Sequence, residues 1–160
     1  MDRAPFHIRP ARTADEIAAA SLLFEDYASS LPVALGYQGF ETELAELPGK
    51  YALPGGELLV AWDEGGRDIG CVALRPLIDG GRCEMKRLYV APEARGLGLG
   101  KALTDAIVEV ARERGYSELY LDTLPTMGTA VRVYKKIGFR RIAPYYAPTP
   151  DGTIFMGLSL

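Results

Sequence analysis

The sequence predicts a single mixed α/β (α+β) domain over residues 1–160, with elements in the order βααβββαβαββ. Two patterns predict it. Apolar residues switch between helical spacing and continuous or alternating runs, and glycine or proline punctuates each switch. Length agrees, because a 160-residue chain fits one domain and buries roughly two-thirds of its unfolded surface. Strands interleaved with helices imply a mixed sheet.

Phe6 to Arg9 reads as a short first strand. Thr13-Ala14-Asp15-Glu16 forms a capping box, in which the Thr13 hydroxyl takes a free amide and Glu16 reaches back. The helix it opens carries Ile17, Ala20, Leu23, Phe24 and Tyr27 on one face and stops before Leu31-Pro32. A short helix follows through Leu44 and Leu47, ending at Pro48-Gly49. Glu57 to Trp62 and Asp68 to Leu74 read as strands joined at Gly65-Gly66, and Cys83 to Val90 as a third. Lys101 to Arg114 reads as a long helix with Gly115 as its stop. Leu119 to Asp122 has the near-continuous apolar character of a covered strand. Thr129 to Ile137 is a second amphipathic helix, ended by Gly138. Phe139 to Tyr146 and Thr153 to Leu160 read as a final antiparallel pair.

Several function classes recede at once. A formal charge of −3 argues against nucleic acid as a partner, since phosphate binding wants a basic excess. No apolar run approaches the ~18 residues of a membrane span, and the first residues lack the apolar core of a signal peptide. The expected location is therefore cytoplasmic, with no membrane partner. His7 is the sole histidine, so a zinc site lacks ligands and no metal is expected. A Ser-His-Asp or Cys-His triad would have to use that same residue. Cys71 and Cys83 flank a hairpin that turns near Asp79-Gly80-Gly81-Arg82. Symmetric pairing puts Cys71 near Lys86 and Cys83 near Leu74, separating the thiols by ~10 Å, beyond disulfide reach. They read as small buried hydrophobes.

Arg95-Gly96-Leu97-Gly98-Leu99-Gly100-Lys101 follows a strand and opens a helix. Glycines let a ligand approach the backbone, and the free amides of the first helical turn suit a phosphate or pyrophosphate. Arg95 and Lys101 would add charge to such a cradle. A dinucleotide fingerprint fails because Lys101 holds its last glycine position, and a Walker A loop fails at Arg95 and Ala102. Arg95, Gly98 and Gly100 do satisfy the arginine-x-x-glycine-x-glycine signature that cradles the coenzyme A pyrophosphate in GNAT acyltransferases.

From Glu84 to Leu103 the chain resembles the central GNAT motif over its whole length. Ala130 to Phe139, with Tyr134 before Gly138-Phe139, resembles the second. The resemblance covers residues 69–146 well and the flanks in order of elements. It implies a GNAT fold, with a central, mostly antiparallel mixed sheet flanked by helices. It also implies an acetyl-CoA-dependent N-acetyltransferase with a primary amine of a small molecule as acceptor, and leaves a homodimer through the C-terminal hairpin open. One departure is Met127, where many relatives carry asparagine; it puts one side-chain contact in question.

Site residues follow from the same resemblance. Backbone groups of Leu88, Tyr89 and Val90 would hold the pantetheine, with a strand bulge near Leu88 turning an amide toward the thioester oxygen. Arg95, Gly96, Leu97, Gly98, Leu99, Gly100 and Lys101 would hold the pyrophosphate. Tyr134 would protonate the departing thiolate. Glu84 holds the place of a base acting through water in one branch of the family; a solvated strand-end glutamate is the other reading. Tyr37, Phe40, Tyr145 and Tyr146 are candidates for the acceptor walls. Lys135, Lys136, Arg140 and Arg141 form a basic cluster within reach of a nucleotide phosphate, or a solvated helix end. Two alternatives stand beside the enzyme: an acyl-CoA sensor of the same fold, and an acyltransferase using another acyl-CoA or an oxygen acceptor.

Overall fold

The computed structural model describes residues 5–78 and 80–160, the Tyr37 side chain excepted. The capping box closes as expected: Glu16 N–H donates to the Thr13 hydroxyl at 3.2 Å, and the Glu16 carboxylate accepts from the Thr13 amide at 2.9 Å. It opens α1 (Ala14–Ser30), which follows strand β1 (Phe6–Pro10). Then come α2 (Phe40–Glu46), β2 (Glu57–Asp63), β3 (Asp68–Pro76), β4 (Arg82–Val90), α3 (Leu99–Glu113), β5 (Glu118–Thr123), α4 (Gly128–Ile137), β6 (Arg140–Arg141) and β7 (Ile154–Ser159). The sheet order is β1-β2-β3-β4-β5-β7-β6, antiparallel throughout except for the β4–β5 pair. Element order and mixed sheet are those the sequence predicts.

Alternation along the strands divides the core in two. Leu59, Val72, Leu74 and Met85 face α3 and α4, where they pack with Leu103 and Ile107. Leu58, Val60, Cys71 and Ala73 face α1, against Leu23 and Phe24. Full burial of each leucine, isoleucine, valine, methionine or phenylalanine among them stabilises by about 1.5–3 kcal/mol. Gly70 lets α3 settle: a Cβ there would meet the Tyr89 carbonyl at 2.9 Å and the Leu99 and Leu103 side chains at 3.1 Å.

Two expectations need correction. The β3–β4 register is displaced by two residues at Cys83, which pairs with Pro76, and by three at Cys71, which pairs with Tyr89 across the extra residue of β4. The hairpin closes with the Leu77 amide donating to the Arg82 carbonyl at 2.9 Å, which centres the pairing one residue later than symmetric pairing about the turn places it. The thiols remain free and buried, now on opposite faces of the sheet. Burial pushes Cys83 up to about 12, so it is not a thiolate at neutral pH. The second correction is β6, which spans two residues rather than running to Tyr146. Pro144 and Pro148 cannot donate to a ladder. Tyr145 and Tyr146 instead pack their rings on Phe155, at 5.3 and 5.6 Å between centroids, and turn their hydroxyls inward.

Candidate active site

Between Cys71 and Ala73 on β3, the facing strand β4 inserts one extra residue. The bulge falls at Arg87 and Leu88, and Arg87 is the one non-glycine residue with positive φ (61°) among the described residues. Such a backbone costs about 1–2 kcal/mol for an L-residue and needs support. Support comes from both sides. The Arg87 carbonyl accepts from the Cys71 thiol at 3.2 Å, and its guanidinium makes two hydrogen bonds to Glu43 of α2, at 2.8 and 2.9 Å. The extra residue also flips the faces of the strand: Met85 packs toward α3 before it, Leu88 and Val90 after it.

Ahead of the bulge β4 has already left its parallel neighbour. The two strands pair only over Arg82–Glu84 and Glu118–Tyr120, then splay. The gap opens into two chambers that share Tyr27, Leu88, Met127 and Ala130.

The outer chamber, about 800 Å³, lies between the end of β4 and the starts of α3 and α4. Leu88, Tyr89, Val90, Arg95, Gly96, Gly98, Leu99, Gly100 and Lys101 all line it. Leu97 does not; its side chain is half exposed outside. α3 starts at an N-cap glycine with no side-chain cap, so its first amides are left for a ligand. Gly96 and Gly98 have φ of 86° and 79°, and a Cβ at either would meet nothing within 4 Å. Open amides, a helix N-terminus and clear space above the loop fit a pyrophosphate. Lys135, Lys136, Arg140 and Arg141 are exposed and outside this lining.

The inner chamber, about 70 Å³, lies in the splay and is polar at one end. Lys86 and Leu88 contribute from β4, Asp122 from β5, Gln38 from the turn before α2, and Tyr134 from α4. Asp122 accepts a hydrogen bond from the Tyr146 hydroxyl at 2.6 Å, and that hydroxyl accepts from Gln38 at 3.1 Å. Gln38 in turn accepts from Arg87 at 2.6 Å, linking the chamber to the bulge. The Tyr134 hydroxyl has no hydrogen-bond partner among the described residues, while its ring stacks on Phe139. Burial pushes the Tyr134 phenol above its ordinary value, and nearby Tyr27 and Asp122 add to the effect.

Glu84 is fully buried and lines neither chamber. It accepts from Arg75 at 2.7 Å and from the Tyr145 hydroxyl, and it faces Lys86 at 3.9 Å. Burial alone would raise its carboxyl; Lys86, Arg75 and Tyr145 outweigh that and hold it below the usual carboxylate range. It is thus neither solvated nor open to the cleft. Tyr145 is occupied by Glu84, and Phe40 is buried under the Arg87 guanidinium at 5.2 Å, so neither lines the chamber as a wall. The Tyr37 side chain lies outside the described residues. Lys86, Asp122 and Gln38 were not singled out from the sequence, although an acidic residue ending a covered strand was a usable signal for Asp122.

Residues 20–139 match the Acetyltransferase (GNAT) family. An uncharacterized N-acetyltransferase of Schizosaccharomyces pombe is 43% identical over 139 residues, 87% of this chain and 85% of that one. An acetyltransferase from Streptococcus agalactiae superposes with a TM-score of 0.79 at 18% identity, covering 98% and 99% of the two chains. A Salmonella typhimurium protein assigned as an acetyltransferase, solved with its cofactor acetyl-CoA, gives 0.75 at 22% identity over 96% and 93%. The chain belongs to the GNAT family and is an N-acetyltransferase of that family.

Proposed function

We propose that this protein transfers the acetyl group of acetyl-CoA directly to a primary amine of a small molecule. The observation that carries the reading is the meeting of the two chambers at Leu88, where the splay joins the anion cradle to the polar pocket. The outer chamber takes coenzyme A: the first turn of α3, with Arg95 and Lys101, holds the pyrophosphate, and the exposed edge of Leu88-Tyr89-Val90 pairs with the pantetheine. The Salmonella neighbour, solved with acetyl-CoA, supports this assignment.

Acetyl-CoA supplies a thioester carbonyl already activated toward amines. The Leu88 region offers an amide to the carbonyl oxygen as negative charge builds there. The acceptor, which arrives as an ammonium, first loses one proton to solvent; the free amine nitrogen then attacks the carbonyl carbon, the C–N bond forms and the C–S bond breaks. As its lone pair is committed, the nitrogen becomes acidic and gives a proton to Asp122, the carboxylate on the chamber wall. Tyr134 gives its phenolic proton to the leaving thiolate and recovers one from solvent. Glu84 enters indirectly in this reading: its charge positions Lys86 and Tyr145.

A thiol-release assay across a panel of small amines tests the function. Acetyl-CoA binding with no thiol released on any amine would overturn it in favour of a sensor, and turnover only with longer acyl chains would overturn the acetyl assignment. Gly98→Val tests the cradle. A branched side chain at φ 79° blocks the ligand's approach and removes a charge-assisted hydrogen bond worth about 1.5–3 kcal/mol. Acetyl-CoA affinity should fall about tenfold or more in calorimetry. Unchanged affinity in a folded variant would refute the pyrophosphate assignment.

A further inference from the structure

Most charges around the inner chamber are closed into pairs. Arg75 meets Glu84 at 2.7 Å, Arg87 meets Glu43 at 2.8 Å, and Lys50 meets Glu43 at 2.9 Å. Lys86 is different. Its side chain is 6% exposed, yet its ammonium makes no hydrogen bond among the described residues. Glu84 and Asp122 stand off at 3.9 and 4.0 Å, against ~2.7–2.9 Å for a closed charge-assisted bond. The side chain is buried but its ammonium reaches the chamber, where open donors favour an occupant that accepts from them. Lys86 lines the inner chamber beside Asp122, so whatever fills the chamber can do so.

We propose that Lys86 is the anchor for a carboxylate on the acceptor, and that the acceptor is a small α-amino carboxylate. This rests on the acetyl-transfer reading above and names its substrate class. The geometry suits a zwitterion: its carboxylate bonds to Lys86 while its amino group turns toward Asp122, the two protein charges being 4.0 Å apart. An α-amino acid separates its own charged groups by about one such hydrogen-bond length, so the four charges alternate. Size agrees. About 70 Å³ of water-accessible space has room for several waters, enough to admit a molecule on the scale of glycine or alanine. Arg75 already neutralises Glu84, so the incoming carboxylate meets a site that is not net negative. Burial lowers the Lys86 ammonium from its ordinary value against the pull of Glu84 and Asp122, and a bound carboxylate would restore it.

The test compares matched acceptors: glycine and alanine against methylamine, ethylamine and the two amino-acid amides. In thiol release the wild type should favour the carboxylates by about 10–100-fold in kcat/KM, the range a charged hydrogen bond confers. Lys86→Met should collapse that ratio to within about threefold, and Lys86→Arg should restore part of it. Lys86→Gln, which keeps a polar side chain, gives the same reading if the methionine variant does not fold. Wild type that accepts neutral amines equally well, or a variant that keeps the ratio, overturns the proposal. Calorimetric binding of the same acceptors with coenzyme A present decides the case without turnover. A Lys86-dependent preference for carboxylates there upholds the anchor even if no thiol is released, and its absence refutes it.

Discussion

Glu43→Ala should cost about 3–5 kcal/mol of stability, the penalty for leaving a buried guanidinium without its partner. Arg87 is 3% exposed, and the Glu43 carboxylate is its ionic partner among the described residues. The same carboxylate holds Lys50 at 2.9 Å, but that side chain is 34% exposed and water replaces its partner, so the cost falls on Arg87. Arg87 also carries the positive φ of the bulge, and the side chain that Glu43 holds helps keep that backbone in place. Urea midpoints read the loss directly. Arg87→Gly removes the stranded charge and relaxes the backbone, so the double variant should fall short of additivity by about 0.5–3 kcal/mol. A Glu43→Ala cost below about 1 kcal/mol, or strictly additive single effects, would show that the pair does not clamp the bulge. pH gives an independent reading. Burial would raise the Glu43 carboxyl, but Arg87 and Lys50 outweigh it and hold it at about 2, from an ordinary 4.5. A depressed carboxyl stabilises fully above the ordinary value and loses that contribution as pH falls through the folded one. The difference between wild type and Glu43→Gln should therefore be constant from neutrality to about pH 4.5 and vanish toward about pH 2.

Local chemistry made much of the fold legible. The Thr13–Glu16 capping box, the glycine loop before α3 and the Gly138 stop after α4 are decided by neighbouring residues. What failed to show depended on pairing at a distance. A two-residue error in the β3–β4 register set Glu84 opposite Ala73, which hid its cross-strand partner Arg75; the reading of the glutamate as a base came from the motif resemblance. Arg75 and Glu84 carry opposite charges, and testing registers for such pairs would have brought them together. The bulge near Leu88 was legible through the motif resemblance, but not what sustains it, because Glu43 from α2 and Cys71 from β3 hold Arg87 there. Lys86 and Asp122 lie on strands linked by α3, and only the splay turns them into one pocket. Tyr145 was legible as a residue near the acceptor, but not as one already tied to Glu84.

Tyr134→Phe should lower kcat by about 10²-fold with little change in acetyl-CoA affinity, as expected for loss of a general acid. Burial holds the phenol above its ordinary value, so in the proposed role it would meet the thiolate protonated at neutral pH. The deficit should therefore stay flat with pH, unlike that of a variant lacking a base, which shrinks once the acceptor is already a free amine. Stability separates this role from a packing role. Phenylalanine keeps the ring contact with Phe139, at 5.7 Å between centroids, and removes a hydroxyl that bonds to nothing among the described residues. Deleting a hydroxyl that faces the chamber and holds no protein partner among the described residues costs the fold little, so the variant should melt no lower than wild type. A slow enzyme with an undiminished melting temperature is the signature of a hydroxyl kept for chemistry. Single-turnover rates equal to wild type, with acetyl transfer limiting, would show that the thiolate takes its proton from another group.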